Sequence, residues 1–363
     1  MKVLIVGGGI IGCAAALELA RAGCRVTVLE RATPGAEASS AAAGLLAPID
    51  ESAETNFARL ALASWRLYPD VVRDLQDRTG IDVEYVTRGT IYPTSADRKR
   101  RDVTAWADIE EFGVEILQGE EVHRLEPALS PAISHAIFVR GDHWLNNQRL
   151  VLAYAQTAVA AGVELNSGCH VSRLIADGGR VRAVVTEGER IEGDAVLLAA
   201  GAWSGELMAG LGLSFRVEPR RGQMLALAHV PPAITHCVHD EVYLVPRPSG
   251  ELLIGATVER AGFHRAVTAE GIAGLLQAAF ELVPSVRELP IARTWCGFRP
   301  WAPDSLPVLG PWPGLEGLFV ATGHFRNGIL LAPITARLMT EWITGRQPSL
   351  AVKDFLPDRF ARR

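Results

Sequence analysis

A chain of 363 residues that is 48% hydrophobic can bury a sizeable core, and it exceeds the usual size of one domain, so two interleaved domains are expected. A formal net charge of -5 and a pI near 6.0 give no general attraction to phosphate backbones or anionic lipid, so neither nucleic acid nor a membrane surface is an expected partner. Five cysteines, Cys13, Cys24, Cys169, Cys237 and Cys296, stand far apart with no C-x-x-C pair, which argues against a zinc site or disulfide framework and fits a reducing cytoplasm. The nine histidines show no metal-ligand spacing, so no metal is expected. The apolar run after Met1-Lys2 resembles a signal peptide only superficially, because four glycines and Glu18 interrupt it. No segment has the length of a charge-free membrane span.

In chain order, residues 2–6 form a short apolar, β-branched run suited to a buried parallel strand, and residues 10–22 an alanine-rich helix with Glu18 and Arg21 on its exposed side. Gly23 ends that helix, residues 25–29 give a second buried strand, and the whole is a βαβ unit. Helical patterns cover 56–76, 102–112 and 149–161. Short strands at 171–175, 181–186 and 195–200 are divided by Asp177-Gly178-Gly179 and Glu187-Gly188, both hairpin signals. A β-rich stretch over 216–256, turning at Pro246, Pro248 and Gly250, precedes a helix over 268–282. The end repeats the opening: a strand at 318–322, a glycine-flanked turn at 323–328 and a helix at 329–344.

Gly7-Gly8-Gly9-Ile10-Ile11-Gly12 contains G-x-G-x-x-G. The first glycine permits the tight turn, the second lets a pyrophosphate approach the backbone, and the third lets helix and strand pack closely. The helix N-terminus then offers free N–H groups to phosphate. Glu30 ends the second strand, where a carboxylate accepts ribose hydroxyls, and Arg31 follows it. This signature does not by itself separate NAD from FAD.

Two further segments do so by resemblance. Ala38-Ser39-Ser40-Ala41-Ala42-Ala43-Gly44 and Gly323-His324-Phe325-Arg326-Asn327-Gly328-Ile329-Leu330-Leu331-Ala332-Pro333 are similar to motifs of the D-amino-acid oxidase superfamily, and within it to glycine oxidases of the thiamine-pathway type. The resemblance runs essentially the whole length. It implies an α/β protein in which an FAD-binding Rossmann-like domain (1–80, 150–214 and 300–363) carries an inserted α+β substrate domain (81–149 and 215–299). It also implies noncovalent FAD, with adenosine over Gly7 to Gly12 and Glu30 and the isoalloxazine beside residues 42–46 and 323–330. The implied cofactor set is Gly7, Gly9, Ile10, Ile11, Gly12, Glu30, Arg31, Ser39, Ser40, Ala42, Ala43, Gly44, Leu45, Val171, Ala200, Gly201, Trp203, Arg299, His324, Arg326, Asn327, Gly328, Ile329 and Leu330. Ala200, Gly201 and Trp203 enter through a likeness to the family's A-T/S-G-x-W segment.

Oxidising an amino acid requires a cation for its carboxylate, and the planar guanidinium fork suits that role through two parallel charge-assisted hydrogen bonds. Arg299, in Trp295-Cys296-Gly297-Phe298-Arg299-Pro300, matches the family's W-x-G-x-R-P motif and is the expected carboxylate ligand. Tyr243 matches the active-site tyrosine that shares the carboxylate, and Arg326 is carried over as a residue beside substrate and flavin. These three form the expected catalytic set, with His324 in a structural or flavin-tuning role. Two positions depart from the family: Glu241 stands where a histidine is frequent, and Val258 where a methionine narrows the pocket. A smaller residue there leaves room for a substrate bulkier than glycine.

Relatives of the sarcosine-oxidase kind attach FAD through a cysteine near Cys296 and use an active-site lysine. Here no lysine lies between Arg100 and Val352, which opposes that arrangement. The expected reaction is FAD-dependent oxidative deamination of glycine, sarcosine or a D-amino acid with O2 as acceptor, in a cytoplasmic protein compatible with a homo-oligomer. Alternatives are a dehydrogenase of the same fold serving a quinone or carrier, and a flavin-binding module of a larger assembly.

Overall fold

A computed structural model describes residues 1–48, 55–94, 109–228 and 233–360. One six-stranded sheet runs Val308–Pro311, Leu318–Thr322, Ala195–Leu198, Lys2–Val6, Arg25–Leu29, Glu164–Asn166. Its neighbours are parallel except for the first, antiparallel pair. The strand Lys2–Val6 is apolar throughout because both faces are covered: Val3 and Ile5 join the helix-side core, Leu4 and Val6 the opposite one. On the helix side, Ile10–Arg21 packs against Gly328–Ile343 and Asn147–Ala160. On the other lies an antiparallel sheet of Arg173–Asp177, Arg180–Val185 and Arg190–Glu192.

The second large sheet has eight strands in the order Ile291–Trp301, Glu218–Ala228, Glu251–Gly255, Tyr243–Pro246, Cys237–His239, Thr90–Thr94, His135–Val139, Val114–Gln118. Alternation along Glu218–Ala228 divides its two faces. Leu225 and Leu227 pack with Leu275, Ala279 and Leu282 of the helix Ala269–Leu282, whereas Met224 and Ala226 share a cluster with Ala43 and Trp144. The second face is thereby turned towards the loops that leave the first sheet, which is what creates a site between the sheets. No helix of the described residues is long and apolar enough to cross a membrane.

The strands at 2–6, 25–29 and 318–322 form over the residues read from sequence. The helix expected over 56–76 is two, Asn56–Trp65 and Tyr68–Thr79. Pro69 sits in the first turn of the second helix, where its missing N–H has no intrahelical partner to lose. Of the helix expected over 102–112, residues 102–108 lie outside the described residues, and Glu110–Phe112 is a 3-10 turn. Thr90–Thr94, Val114–Gln118, His135–Val139 and Ile291–Trp301 were not anticipated as strands. Val114–Gln118 and Ile291–Trp301 are the sheet's edges, and the first four residues of the latter are exposed, so neither carries a clean apolar alternation.

Candidate FAD and substrate site

At the carboxyl ends of Lys2–Val6 and Arg25–Leu29 the glycine turn is shaped by contacts that leave no room for a side chain. Gly7 has φ +108, and a Cβ on it would lie 2.5 Å from the Ala199 carbonyl oxygen. A Cβ on Gly12 would lie 1.9 Å from the Gly7 carbonyl oxygen. Gly9 ends the turn and precedes the helix Ile10–Arg21, so the first amides of that helix face the turn. The Ser39 hydroxyl accepts one of them, from Ile10, at 2.9 Å. Glu30 is held by two backbone donors, Gly8 N–H at 2.7 Å and Ala32 N–H at 2.8 Å, which fixes its carboxylate at the rim. A glycine cradle, a helix N-terminus and an oriented acid are the set that a dinucleotide needs.

From this turn a continuous cleft runs between the two large sheets. Gly7, Gly9, Ile10, Ile11, Glu30, Arg31, Ser39, Ala42, Ala43, Gly44, Leu45, Val171, Ala200, Gly201, Trp203, Arg299, His324, Arg326, Asn327, Gly328 and Ile329 all line it, with Tyr243. Gly12, Ser40 and Leu330 are not among the lining residues. Gly12 acts inside the turn, where its missing side chain lets helix and strand touch. Ser40 spends its carbonyl on the Asn147 and Gln148 amides. Leu330 is buried in the helix-side core and gives its carbonyl to the Ser64 hydroxyl at 2.6 Å.

The structure adds lining residues that sequence reading missed, among them Glu37, Gly222, Met224, His239, Gly297 and Phe298. Gly222 and Gly297 are register partners on adjacent strands. A Cβ on Gly222 would come 2.1 Å from Arg299 Nη1, and one on Gly297 would come 2.4 Å from the Ala41 Cβ. Glycine inside a strand marks such close approaches, so that signal was present but unused. Midway along the cleft, the Arg31 guanidinium lies 3.6 Å above the Trp203 ring, and Glu37 bridges Arg31 and Arg265, each at 2.5 Å.

At the second-sheet end, Arg299 donates from Nη1 to the Thr257 carbonyl at 2.9 Å, leaving other donors of its fork for a ligand. The Tyr243 hydroxyl donates to the Met224 sulfur at 3.6 Å and interacts electrostatically with the Arg299 guanidinium. Burial pushes the Tyr243 hydroxyl pKa up, against the opposing pull of Arg299, and burial pushes the Arg299 guanidinium down, against the pull of Tyr243. Arg326 is exposed at the cleft, and its charge also weighs on Arg299.

His324 is buried with Nε2 3.1 Å from the Thr335 hydroxyl, and burial pushes its pKa down to about 3. It is therefore a neutral imidazole at any ordinary pH and a weak proton acceptor. His239 stands across the strand pair from Tyr243, ring centroids 5.7 Å apart; it brings an imidazole to the place where position 241 was read as lacking one.

Val258 is 53% exposed and absent from the lining, and Glu241 is exposed. The widening attributed to Val258 is therefore not present; Met224 and His239 line that end instead. Cys296 does not line the cleft either. It is the register partner of Gln223, whose side chain reaches Glu259 and Thr268. Among the described residues no group of three His, Cys, Asp or Glu side chains is placed to hold a metal.

Comparison with known proteins shows the family. The model of the family described as FAD dependent oxidoreductase (DAO) matches residues 2–342. The chain belongs to that family. It is an FAD-dependent oxidoreductase enzyme of the glycine-oxidase type. It is 36% identical to a glycine oxidase of Pseudomonas aeruginosa over 360 residues, 98% of either chain. Among solved structures it resembles glycine oxidase from Geobacillus kaustophilus (TM-score 0.93, 35% identity, 98% of each chain). It also resembles iminodiacetate oxidase from Chelativorans sp. BNC1 (TM-score 0.90, 28% identity, 98% of each chain).

Proposed function

We propose that this enzyme oxidises the carbon–nitrogen bond of a small amino acid, with glycine, sarcosine and D-amino acids as the substrate class and O2 as the final acceptor. The observation that carries this reading is the Arg299–Tyr243 pair at the second-sheet end of the FAD cleft. The second sheet contributes Gly222, Met224, His239, Tyr243, Gly297, Phe298, Arg299 and Pro300 to the lining, and no acid. That end is thus built for a carboxylate. In this reading residues 1–80, 150–214 and 300–363 hold FAD, and residues 81–149 and 215–299 present the substrate.

FAD, when bound, supplies the acceptor for the hydride of the substrate α-carbon. The chain does the rest by placement. Arg299 binds the carboxylate through its fork, Tyr243 donates a further hydrogen bond to the same group, and Arg326 adds positive potential beside it. His324 stays neutral and removes no proton, and hydride transfer from an amine already in its neutral form needs no side-chain base. For a primary amine, amino acid, O2 and water yield 2-oxo acid, ammonia and hydrogen peroxide.

The test is anaerobic mixing with glycine, sarcosine, D-alanine and D-proline while the flavin absorption is followed, and then admission of air. Bleaching by one of these amines and prompt recovery with peroxide is the expected result. Bleaching with no recovery in air would replace the oxidase by a dehydrogenase serving another acceptor, and no bleaching by any of them would sink the substrate class. Tyr243→Phe is expected to raise KM about 2- to 10-fold with kcat little changed, the cost of one hydrogen bond. Steady-state kinetics check it, and an unchanged KM would remove the hydroxyl from the substrate site.

A further inference from the structure

Among the described residues three arginines are less than a tenth exposed, Arg220, Arg221 and Arg247, while Arg299 in the cleft is only partly covered. Arg220 is paired with Glu218 and Arg221 with Glu259. Arg247, which directly follows the strand Tyr243–Pro246, instead spends its guanidinium on neutral acceptors. Nη1 donates to the Leu145 carbonyl, and Nη2 to the Ala43 carbonyl at 2.8 Å and to Asn147 Oδ1 at 2.9 Å. Burial lowers its pKa to about 10, which leaves it a cation at neutral pH. A buried cation held by carbonyls rather than a carboxylate is costly to keep, so the arrangement calls for a role.

The acceptors share a location. Asn147 passes the brace on, its amide donating to the Ser39 carbonyl at 2.6 Å and to the Ser40 carbonyl at 3.2 Å. Leu145 N–H donates to the Gly44 carbonyl at 3.0 Å, and a Cβ on Gly44 would meet the Leu145 carbonyl oxygen at 2.0 Å. Through these contacts one side chain of the second sheet fixes the backbone from Ser39 to Gly44. Ser39, Ala42, Ala43 and Gly44 line the cleft in front of Arg247, which is itself outside the lining.

We propose that Arg247 is a positioning residue for the flavin. Through Ala43, Leu145 and Asn147 it sets the 39–44 wall of the cleft, and its positive charge behind that wall, offset only at longer range by Glu84 and Glu251, favours the electron-rich, reduced state of the cofactor. The proposal rests on the reading that the isoalloxazine lies beside residues 42–46.

The experiment compares the wild type with Arg247→Lys, Arg247→Met and Asn147→Asp in three readouts: FAD dissociation constant, flavin midpoint potential, and melting temperature of the apoprotein. Lysine keeps the charge but not the fork, so FAD affinity is expected to fall at least about ten-fold, roughly 1.4 kcal/mol, with the potential near that of the wild type. Methionine is expected to lose more affinity than lysine. Asn147→Asp keeps an acceptor for Arg247 and offsets its charge but loses the amide that holds the Ser39 and Ser40 carbonyls, so FAD affinity is expected to fall and the potential to move in the negative direction.

Apoprotein melting temperatures near the wild-type value complete the expected pattern. Unchanged affinity and potential in folded Arg247→Lys and Asn147→Asp would overturn the proposal. So would losses of FAD affinity that merely follow equal losses of apoprotein stability, or variants that do not fold, because the brace would then be structural only. A wild-type protein that holds FAD but is bleached by none of the amino acids leaves this proposal standing and removes the proposed substrate class.

Discussion

Arg299→Ala is expected to remain folded and yellow while kcat/KM falls by about 10^2- to 10^4-fold. Hydrogen bonds to a charged group contribute roughly 1.5–3 kcal/mol each, and two of them set that range at about 1.4 kcal/mol per factor of ten. The fold should tolerate the change. Arg299 makes one hydrogen bond to backbone, at Thr257, its burial disfavours the charged form, and the missing side chain of Gly222 opens the space beside it.

Arg299→Lys should recover part of the loss, since an ammonium restores charge without the planar fork. Steady-state kinetics on the amino acid that bleaches the flavin, with the visible spectrum as the control for bound cofactor, provide the measurement. A variant within about three-fold of wild-type kcat/KM would take Arg299 out of the substrate site, since that is less than one ordinary hydrogen bond.

Gly12→Ala should have its effect at the other end of the cleft. The added Cβ would lie 1.9 Å from the Gly7 carbonyl oxygen, which is backbone and can retreat only if the helix Ile10–Arg21 shifts against Lys2–Val6. Both elements are packed into the core that includes Val3, Ile5, Ala14 and Leu17. Overpacking of this kind costs about 1–3 kcal/mol or more, and the helix start that should hold pyrophosphate moves with it.

A protein purified without yellow colour, or with FAD affinity lowered at least about 100-fold, equivalent to about 2.8 kcal/mol, is expected. Gly274→Ala is the matched control: position 274 lies in the helix Ala269–Leu282 with nothing within 4 Å of its Cβ position. It should bind FAD normally and gain up to about 1 kcal/mol of stability. Fluorescence titration of apoprotein with FAD separates the two, and a Gly12→Ala protein with wild-type affinity would refute the close-packing role of that glycine.

What the sequence alone determined is local. The strand Lys2–Val6, the glycine turn, the helix Ile10–Arg21 and the strand Arg25–Leu29 follow from a few consecutive dihedral and burial requirements, so an apolar run, three spaced glycines and Glu30 sufficed to read them. The motifs around Arg299 and His324 were also legible, by resemblance, as parts of one site. What those residues meet was not.

Gly222 and Gly297 form the floor beside Arg299 only because two strands pair in one register. Position 258 was read as part of the pocket although its side chain points to solvent. His239 reaches Tyr243 across a strand pair rather than from position 241. The Arg247 brace joins residues 204 positions apart in the chain, and nothing within a short window of sequence signals it. Dihedral preference and hydrophobic period act over a turn or a strand, whereas register and the packing of sheet on loop are set by the whole core at once. The glycine turn was therefore readable one residue at a time, and the floor, the far wall and the brace of the cleft were decided only when the two sheets came together.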